Sequence, residues 1–248
     1  MKIIATYNIK GGVGKTSTAV NVAALAARRG RRVLLWDLDP QGAATFLFRV
    51  KAKVRGGGKQ LVRGRSDVFA LIKGTDQEGL DLLPADFSYR HMDLFLDNGK
   101  KPTSRLSRVL APLVDEYDLV VLDCPPSISL VSENVFIAAD ALIVPLIPTT
   151  LSLRTLQQLK KFVKTNGLTH LEVLPFFSMV DRRKSLHREI VATLHETHPG
   201  ILTTQIPSAT EVERMGVHRE TVASFAPTSR VARAYEALWD EVSSRVGA

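Results

Sequence analysis

A nine-residue segment near the start, Ile9–Ser17 (IKGGVGKTS), constrains the fold more than any other part of the sequence. It follows an apolar, β-prone run at Ile3–Tyr7 and precedes an alanine-rich helical pattern from Thr18 to Arg29. A strand, a glycine-rich loop and a helix in this order are the setting of a phosphate-binding loop. Glycines let successive backbone N–H groups point at phosphate oxygens, and the helix N-terminus adds positive potential. The residues expected to bind the nucleotide here are Gly11, Gly12, Val13, Gly14, Lys15, Thr16 and Ser17.

Two side chains of this loop have expected roles in nucleotide chemistry. Lys15 is placed to reach the β- and γ-phosphates, and the Thr16 hydroxyl is placed to ligate Mg²⁺. The alternative is a plain glycine-rich turn before a helix, and the Gly-Lys-Thr sequence in this context argues against it. The predicted cofactors are therefore ATP and Mg²⁺.

The start of the loop departs from the usual phosphate-loop pattern. Ile9 stands where a first glycine is usual, and a second lysine, Lys10, comes directly before the double glycine. Such a lysine can be a solvated surface cation. The run from Lys10 to Thr16 nevertheless resembles the deviant Walker A motif of the ParA/MinD family of ATPases. In that family the extra lysine reaches the partner's nucleotide, so the resemblance implies that Lys10 acts across a homodimer in the ATP state.

Acidic residues follow two predicted buried strands. Arg32–Asp37 is a near-continuous apolar run that leads on to Asp39, and Leu119–Leu122 is a second such run that leads to Asp123. Ligands of open parallel sheets bind at the carboxyl ends of the strands, so these carboxylates are expected near the glycine loop. A capped turn is an alternative explanation for the first pair, and any buried strand can end in Asp.

The sequence around these acids resembles the switch segments of the same family. Asp37–Gly42 (DLDPQG) is similar to switch I, and Asp123–Ser127 (DCPPS) is similar to Walker B with switch II. The resemblance implies that Asp39 positions the water that attacks the γ-phosphate. It also implies that Asp37 lies near the Mg²⁺ shell and that Asp123 accepts from a Mg²⁺-bound water. A later Ile-Pro turn places Pro207 over the adenine by the same resemblance. The expected catalytic residues are Lys10, Lys15 and Asp39.

The order of the predicted elements fixes the expected fold class. Strands and helices alternate, and 248 residues with 45% hydrophobic content suffice for a large buried core. We expect a single α/β domain over residues 1–248, with a P-loop NTPase fold. Its sheet is expected to be doubly wound and mostly parallel, with about seven or eight strands and helices on both faces.

The segment from 49 to 66 is the least ordinary part of the sequence. Residues 49–65 contain seven basic residues and no acid. Bases alternate with Val50, Ala52 and Val54 before three glycines, which predicts a β-ribbon or a flexible basic arm inserted in the domain. The resembled family generally has a helix and a short loop here, so the resemblance does not cover this segment. A mobile solvated loop and a polyanion-binding arm, with Arg55 and Arg63 as DNA-binding candidates, both stay open. Residues 67–73 are expected to form a short helix.

A second basic cluster lies at a predicted strand-to-helix junction. In the resembled family, basic residues of the C-terminal half form a nonspecific DNA surface on the ATP-bound dimer, although a solvated face is the alternative. The DNA-binding candidates here are Arg182, Arg183, Lys184 and Arg188. The net charge of +8 agrees with a polyanionic partner, with nucleic acid first and anionic membrane second.

Two further patterns indicate a structural role and no binding site. In the amphipathic stretch 102–117, Arg105 and Arg108 lie off the apolar face and are expected to be solvated. The last helix carries an apolar stripe, from Val231 to Val242, that favours core packing over a membrane anchor. No basic amphipathic tail like that of the MinD branch follows it.

Several classes of protein are excluded by simple counts. The only cysteine, Cys124, rules out a disulfide framework and the iron–sulfur relatives of this fold, which need two cysteines per subunit. No run of about eighteen apolar residues is present, so no membrane span is expected. Without a signal-peptide pattern, the expected location is cytoplasmic and nucleoid-associated.

These observations lead to one expected function and two alternatives. The expectation is an ATPase that partitions or positions a plasmid, chromosome or protein cargo, stimulated by a ParB-like or cargo-adaptor partner. Ser208–Glu211 and Glu213–Gly216 differ from the runs common in chromosome-partitioning members, which suggests a different subgroup. The alternatives are a MinD-like membrane-associated regulator and a metabolic P-loop amide ligase of the cobyrinate or dethiobiotin type.

Overall fold

One eight-stranded sheet runs through the residues described in a computed structural model, 1–97, 102–198 and 200–248. Its strands in chain order are β1 (Lys2–Thr6), β2 (Val33–Asp37), β3 (Lys73–Gly74), β4 (Leu80–Leu83), β5 (Leu119–Asp123), β6 (Ala141–Leu146), β7 (Glu172–Val180) and β8 (Gln205–Pro207). Across the sheet the order is β3-β4-β2-β5-β1-β6-β7-β8. All neighbours pair in parallel except β3, which is antiparallel to β4. The prediction of a mostly parallel sheet is confirmed.

The strands alternate with helices along the chain. The α-helices are α1 (Lys15–Arg28), α2 (Ala43–Leu47), α3 (Gly57–Val62), α4 (Met92–Asp97), α5 (Arg105–Leu110), α6 (Leu130–Ala138), α7 (Thr150–Thr165), α8 (Ser185–Thr197), α9 (Thr210–His218), α10 (Val222–Phe225) and α11 (Arg230–Val246). Three 3₁₀ turns, at Phe87–His91, Pro102–Ser104 and Ala111–Leu113, flank α4 and α5.

Alternation along the central strands produces two hydrophobic layers, one on each face of the sheet. In β5, Leu119 and Val121 belong to the layer that contains α1 and α11. Val120 and Leu122 belong to the opposite layer, which contains α5, α6 and α7. Because successive side chains of a strand point to opposite faces, one apolar run serves both layers. The doubly wound arrangement with helices on both faces is therefore as predicted.

The last helix packs as its sequence pattern indicates. Tyr235, Leu238 and Trp239 of α11 are fully buried in the layer beside α1. Ser229 caps the helix, since its Oγ accepts a hydrogen bond of 3.1 Å from the Ala232 N–H. Among the described residues, no helix is long and apolar enough to cross a bilayer.

The prediction of a β-ribbon or a flexible arm at 49–66 is wrong. The segment contains α3, and Val54, Leu61 and Val62 are buried in the core. The Val54 N–H donates to Asp86 Oδ2 at 2.8 Å, so a distant loop holds the segment in place. The alternating basic residues lie on an irregular surface segment before α3. No strand forms there, because the long-range contacts outweigh the local preference of a period-two pattern for a strand.

The short helix predicted at 67–73 is also absent. Its residues form a single turn, in which the Leu71 N–H donates to the Val68 carbonyl at 3.0 Å. The chain then extends, because Lys73 and Gly74 form the edge strand β3, which pairs with β4. Strand pairing at the end of the segment thus prevents the turn from continuing as a helix.

Candidate functional site

The glycine loop joins β1 to α1 in the centre of the sheet. Gly12 and Gly14 have φ values of 69° and 93°, in the left-handed region that favours glycine. A Cβ at Gly14 would lie only 3.0 Å from Ser178 Oγ, so a larger residue would also clash there. Val13 is buried beneath the loop. The loop thus curls around a space at the N-terminus of α1, as a phosphate-binding loop does.

The lysine at the start of α1 points back into this loop. Lys15 is only 7% exposed, and its Nζ donates a hydrogen bond of 2.9 Å to the Lys10 carbonyl. Burial lowers the pKa of Lys15, while the nearby Asp123 carboxylate opposes this change. The ammonium group is therefore held beside the loop without a carboxylate partner in direct contact among the described residues.

Three adjacent strands bring the predicted acids to the same place. β5 lies between β1 and β2, and the register pairs Asp123 with Thr6 on one side and Asp37 on the other. Asp37 and Asp123 are fully buried. Burial raises the pKa of Asp37 to about 6. Burial also raises the pKa of Asp123 well above its usual value, and the negative charge of Asp37 raises it further.

The Asp37 carboxylate holds the loop that follows β2 by hydrogen bonds. Its Oδ2 accepts from both the backbone N–H and the hydroxyl of Thr45, at 2.8 and 2.7 Å. Its Oδ1 accepts from the Asp39 N–H at 3.2 Å. Both oxygens are thus engaged by the protein. The Thr45 hydroxyl in turn accepts from the Ala85 N–H at 2.9 Å, which ties the loop to the end of β4.

Asp123 differs from Asp37, because only one of its two carboxylate oxygens accepts a hydrogen bond from the described residues. Its Oδ1 accepts from the Thr6 hydroxyl at 3.3 Å. Its Oδ2 is buried and lacks a partner among the residues that the structure describes. The Thr16 side chain interacts with the same carboxylate and acts to lower its pKa. A hydroxyl beside an unpaired buried carboxylate oxygen fits a hydrated Mg²⁺, because both are hard oxygen donors. Thr16 could ligate the ion directly and Asp123 could hold one of its waters.

A cavity of about 370 Å³ opens above the loop. This size lies within the range of about 300–1,000 Å³ that is typical of small-molecule sites. The predicted residues that line it are Gly11, Gly12, Gly14, Lys15, Thr16, Ser17, Asp39 and Pro207. Residues not foreseen from the sequence complete it: Pro126, Ser178, Met179, Ile206, Ser208, Ala209, Val212, Glu213 and Tyr235. The loop and the end of β8 thus face each other across one cavity, as a site for phosphates and a base requires.

The unforeseen lining residues carried little sequence signal. Met179 lines the cavity with a φ of 54°, a conformation that the sequence does not indicate. Tyr235 fits the apolar stripe of α11 and was therefore expected only in the core. Pro126 and Ile206 are the exceptions, because they stand in the Pro-Pro segment and the Ile-Pro turn that the sequence already indicates.

Lys10 stands apart from the cavity that its own loop forms. It is half-buried, its N–H donates to Asn8 Oδ1 at 2.9 Å, and its carbonyl accepts from Lys15. Its side chain does not contribute to the lining of the cavity.

The predicted DNA-binding residues lie in three separate places: one patch at α8, one groove that includes Arg55, and the cavity that Arg63 lines. The first, which we call the α8 patch, consists of Arg182, Arg183, Lys184 and Arg188, all exposed around the start of α8. Arg183 forms a bidentate ion pair with Asp181 at 3.0 and 3.1 Å. Arg188 Nη1 donates to the Arg182 carbonyl at 2.7 Å. Half of this patch is therefore engaged by its own loop.

The second surface, which we call the groove patch, consists of Lys51, Lys53, Arg55 and Lys73. These residues line a groove of about 590 Å³. Arg55 is exposed along it, whereas the other candidate of this segment, Arg63, is half-buried and lines a different cavity. The two candidates of the basic segment thus lie in different surroundings.

Comparison with known proteins agrees with this site. A family model described as an AAA domain matches residues 1–172. The chromosome-partitioning ATPase Soj of Thermus thermophilus is 36% identical over 260 residues, which covers 98% of this chain and 96% of Soj. A virulence-plasmid ParA family protein of Chlamydia psittaci is 31% identical over 256 residues, covering 99% of this chain and 96% of that protein.

A solved structure shows the same architecture. Cobyrinic acid a,c-diamide synthase of Mycobacterium smegmatis, solved with ADP and magnesium, superposes with a TM-score of 0.83 at 28% identity. The match covers 100% of this chain and 97% of the synthase chain. The glycine loop, the carboxylates at the strand ends and these full-length similarities lead to one conclusion. The chain belongs to the ParA/MinD family of P-loop ATPases.

Proposed function

We propose that this protein binds and hydrolyses ATP with Mg²⁺, forms a dimer in the ATP state and in that state binds DNA nonspecifically. The observation that carries the proposal is the meeting of Lys15, Asp39 and the glycine loop around one cavity, beside the unpaired oxygen of Asp123. The relatives named as partitioning and ParA family proteins support it over the full length of the chain. Its cellular role is the partition or positioning of a plasmid, chromosome or protein cargo on the nucleoid.

The chemistry follows from the positions of the side chains. Lys15 exchanges its bond to the Lys10 carbonyl for the β- and γ-phosphates, where its charge stabilises the transferring phosphoryl group. Asp39 lines the same cavity and orients the attacking water. Thr16 and Asp123 would hold a Mg²⁺ ion, which would neutralise phosphate charge when bound, and Asp37 maintains the loop nearby. Pro207, across the cavity, lies against the adenine.

Dimerisation supplies the role of the second lysine. Because the Lys10 side chain does not line its own cavity, we assign it to the nucleotide of the partner subunit, as in the deviant Walker A ATPases that this loop resembles. Contacts from both subunits to one nucleotide form only in the dimer. Hydrolysis of the nucleotide would therefore be coupled to dissociation of the dimer. A ParB-like or cargo-adaptor partner would accelerate hydrolysis and so release the protein from DNA.

Co-sedimentation with DNA tests the proposal directly. Wild-type protein with ATP and Mg²⁺ is expected to pellet with DNA at low salt, and much less with ADP. Lys15→Ala, which removes the phosphate contact, is expected to remain in the supernatant under both conditions because it binds no nucleotide. Anionic liposomes form the second arm. Binding to liposomes and not to DNA in ATP would indicate the MinD-like alternative, and binding to neither would refute the positioning role.

A metabolic amide ligase is the second candidate, because the similarity to the cobyrinic acid synthase covers the whole chain at 28% identity. Such an enzyme must hold its carboxylate substrate next to the nucleotide, and it has no use for two exposed basic surfaces. The two functions separate in an ATPase assay. DNA is expected to raise or maintain ATP turnover without any added carboxylate and amide donor, whereas a ligase would turn over ATP only with its substrates present.

A further inference from the structure

A second cavity, lined by three arginines, lies away from the nucleotide site. It has a volume of about 320 Å³ and shares no lining residue with the cavity above the glycine loop. Its basic residues come from two elements, Arg63 after α3 and Arg105 and Arg108 on α5. The sequence pattern assigned the two α5 arginines to solvent, so their convergence on one cavity was not foreseen.

The charge inside this cavity is only partly balanced, because three arginines and one carboxylate line it. None of the three arginines forms an ion pair with a carboxylate in the ranges that the structure describes. One carboxylate, Asp67, lines the cavity, but its Oδ1 accepts from the Phe69 N–H at 3.0 Å as the cap of a turn. Arginine forks that lack a protein partner are suited to bidentate contacts with phosphate.

One of the three guanidinium groups is incompletely satisfied. The Nε of Arg105 is buried and has no hydrogen-bond partner among the described residues. A buried donor without a partner costs free energy, which an anion bound in the cavity would recover. The backbone of Arg105 is fixed as well, because its N–H donates at 2.8 Å to Oδ1 of the buried Asn134 on α6. The start of α5, from which Arg105 projects, is thus held in position.

The rest of the lining is apolar and includes an aromatic ring. The apolar lining residues are Leu61, Val62, Val68, Phe69, Val109 and Pro112. Phe69 is 47% exposed, although it is a large hydrophobic residue, so its ring is available for stacking. Cationic side chains that face phosphate and aromatic rings that stack on bases recur in proteins that bind single-stranded nucleic acids.

We propose that this arginine cavity binds a phosphate-bearing small molecule of mononucleotide size. Its phosphate would contact Arg105, Arg108 and Arg63, and its base would stack on Phe69. A concave, partly apolar site of about 320 Å³ favours a small ligand over a DNA backbone, which lies along exposed surfaces. The proposal does not depend on the proposed DNA binding.

Isothermal titration calorimetry with 5′-GMP tests the proposal. The protein is first saturated with ADP and Mg²⁺, so that heat from GMP reports a second site, and failure of the ADP step would be visible separately. We expect one GMP per chain, with inorganic phosphate alone binding more weakly. Arg105→Gln is expected to weaken GMP binding by about tenfold or more, the effect of losing a hydrogen bond to a charged group. Phe69→Ala is expected to remove the advantage of GMP over phosphate.

Controls make each outcome decisive. Arg154→Gln changes an exposed arginine on α7 and is expected to leave GMP binding unchanged. Arg108→Gln, at an exposed position, replaces Arg105→Gln if that variant does not fold. No GMP binding at millimolar concentration, or binding unchanged in both α5 variants, would overturn the proposal. Displacement of GMP by a short DNA duplex would also overturn it, because the cavity would then belong to a DNA surface.

Discussion

At the scale of single residues, Asp123 combines full burial with one unpaired oxygen. Burial raises its pKa above the ordinary value of 3.8, so the folded protein retains this proton at pH values where the unfolded chain has lost it. Folding therefore loses stability as the pH rises from about 4 towards the folded-state pKa. When Asp123 is ionised, a bound cation would offset the free-energy cost of burying its unpaired charge.

Asp123→Asn should accordingly stabilise the nucleotide-free protein at high pH. We expect a rise in Tm of roughly 3 °C or more at pH 8, about 2–4 °C for each kcal/mol in a protein of this size, and a smaller rise at pH 5. Differential scanning fluorimetry at the two pH values measures the difference. The same variant should lose most of the stabilisation by ATP and Mg²⁺. A rise in Tm that does not depend on pH would show that charge burial is not its cause.

The proposed roles of the two lysines in the glycine loop can be tested separately. Lys10→Ala should leave ATP binding largely intact, because the Lys10 side chain does not line the cavity of its own subunit. It should abolish the ATP-dependent dimer and reduce hydrolysis to background. Nucleotide titration and size-exclusion chromatography in ATP measure the two effects. A Lys10→Ala protein that still dimerises would reduce this lysine to a surface cation.

The residues of the site differ in how far the sequence could predict them. The glycine loop and the acids Asp37, Asp39 and Asp123 follow from local patterns, since each lies at or shortly after the end of an apolar strand. The cavity residues Ser178 and Met179 could not be foreseen, because they belong to the end of β7 and reach the loop only through the order of strands. Local sequence does not encode that order.

At the scale of elements, buried strands and the last helix were predictable, and the short elements of the basic segment were not. Central strands are buried on both faces, so they can be recognised in the sequence as continuous apolar runs. In contrast, α3 depends on distant partners: a Cβ at Gly58 would lie 2.8 Å from the Tyr89 ring. The glycines that suggested a hairpin turn include one required for this close packing. Tertiary contacts therefore decided the structure where local propensity was weak.

The cap of α11 offers a test at this scale. Ser229→Ala removes the acceptor for the Ala232 N–H, which typically costs about 1 kcal/mol. The Tm should fall by about 2–4 °C, while ATP binding stays unchanged because the cap is not a cavity residue. Ser243→Ala, near the other end of the same helix, is the matched control and should have a smaller effect. Equal effects of the two changes would show that the cap contributes little.

At the scale of the whole molecule, two basic surfaces are candidates for the proposed DNA binding. All four cations of the groove patch lack an ion pair among the described residues, whereas Arg183 of the α8 patch is neutralised by Asp181. Free cations release more counterions on contact with DNA. We therefore expect the groove patch to supply the larger share of the electrostatic binding.

Salt dependence distinguishes the two patches. Each lost phosphate contact lowers the slope of log affinity against log salt concentration by about 0.9. Replacing the four groove-patch cations by Gln should reduce this slope more than the same change in the α8 patch. Fluorescence anisotropy with labelled DNA, in ATP and Mg²⁺ at several salt concentrations, measures both slopes. A larger reduction from the α8 variant would assign the DNA to the C-terminal half.

The carboxylate of Asp37 has a mechanical consequence. Because one side chain holds the N–H groups of both Asp39 and Thr45, the residues between them form a short closed bridge with a fixed span. Few backbone shapes are open to a chain whose ends are pinned at one point. The Asp39 carboxylate is held on the same bridge, because its Oδ1 accepts from the Gln41 N–H at 2.9 Å. In the proposed hydrolysis, Asp39 would therefore be positioned by this loop before ATP binds.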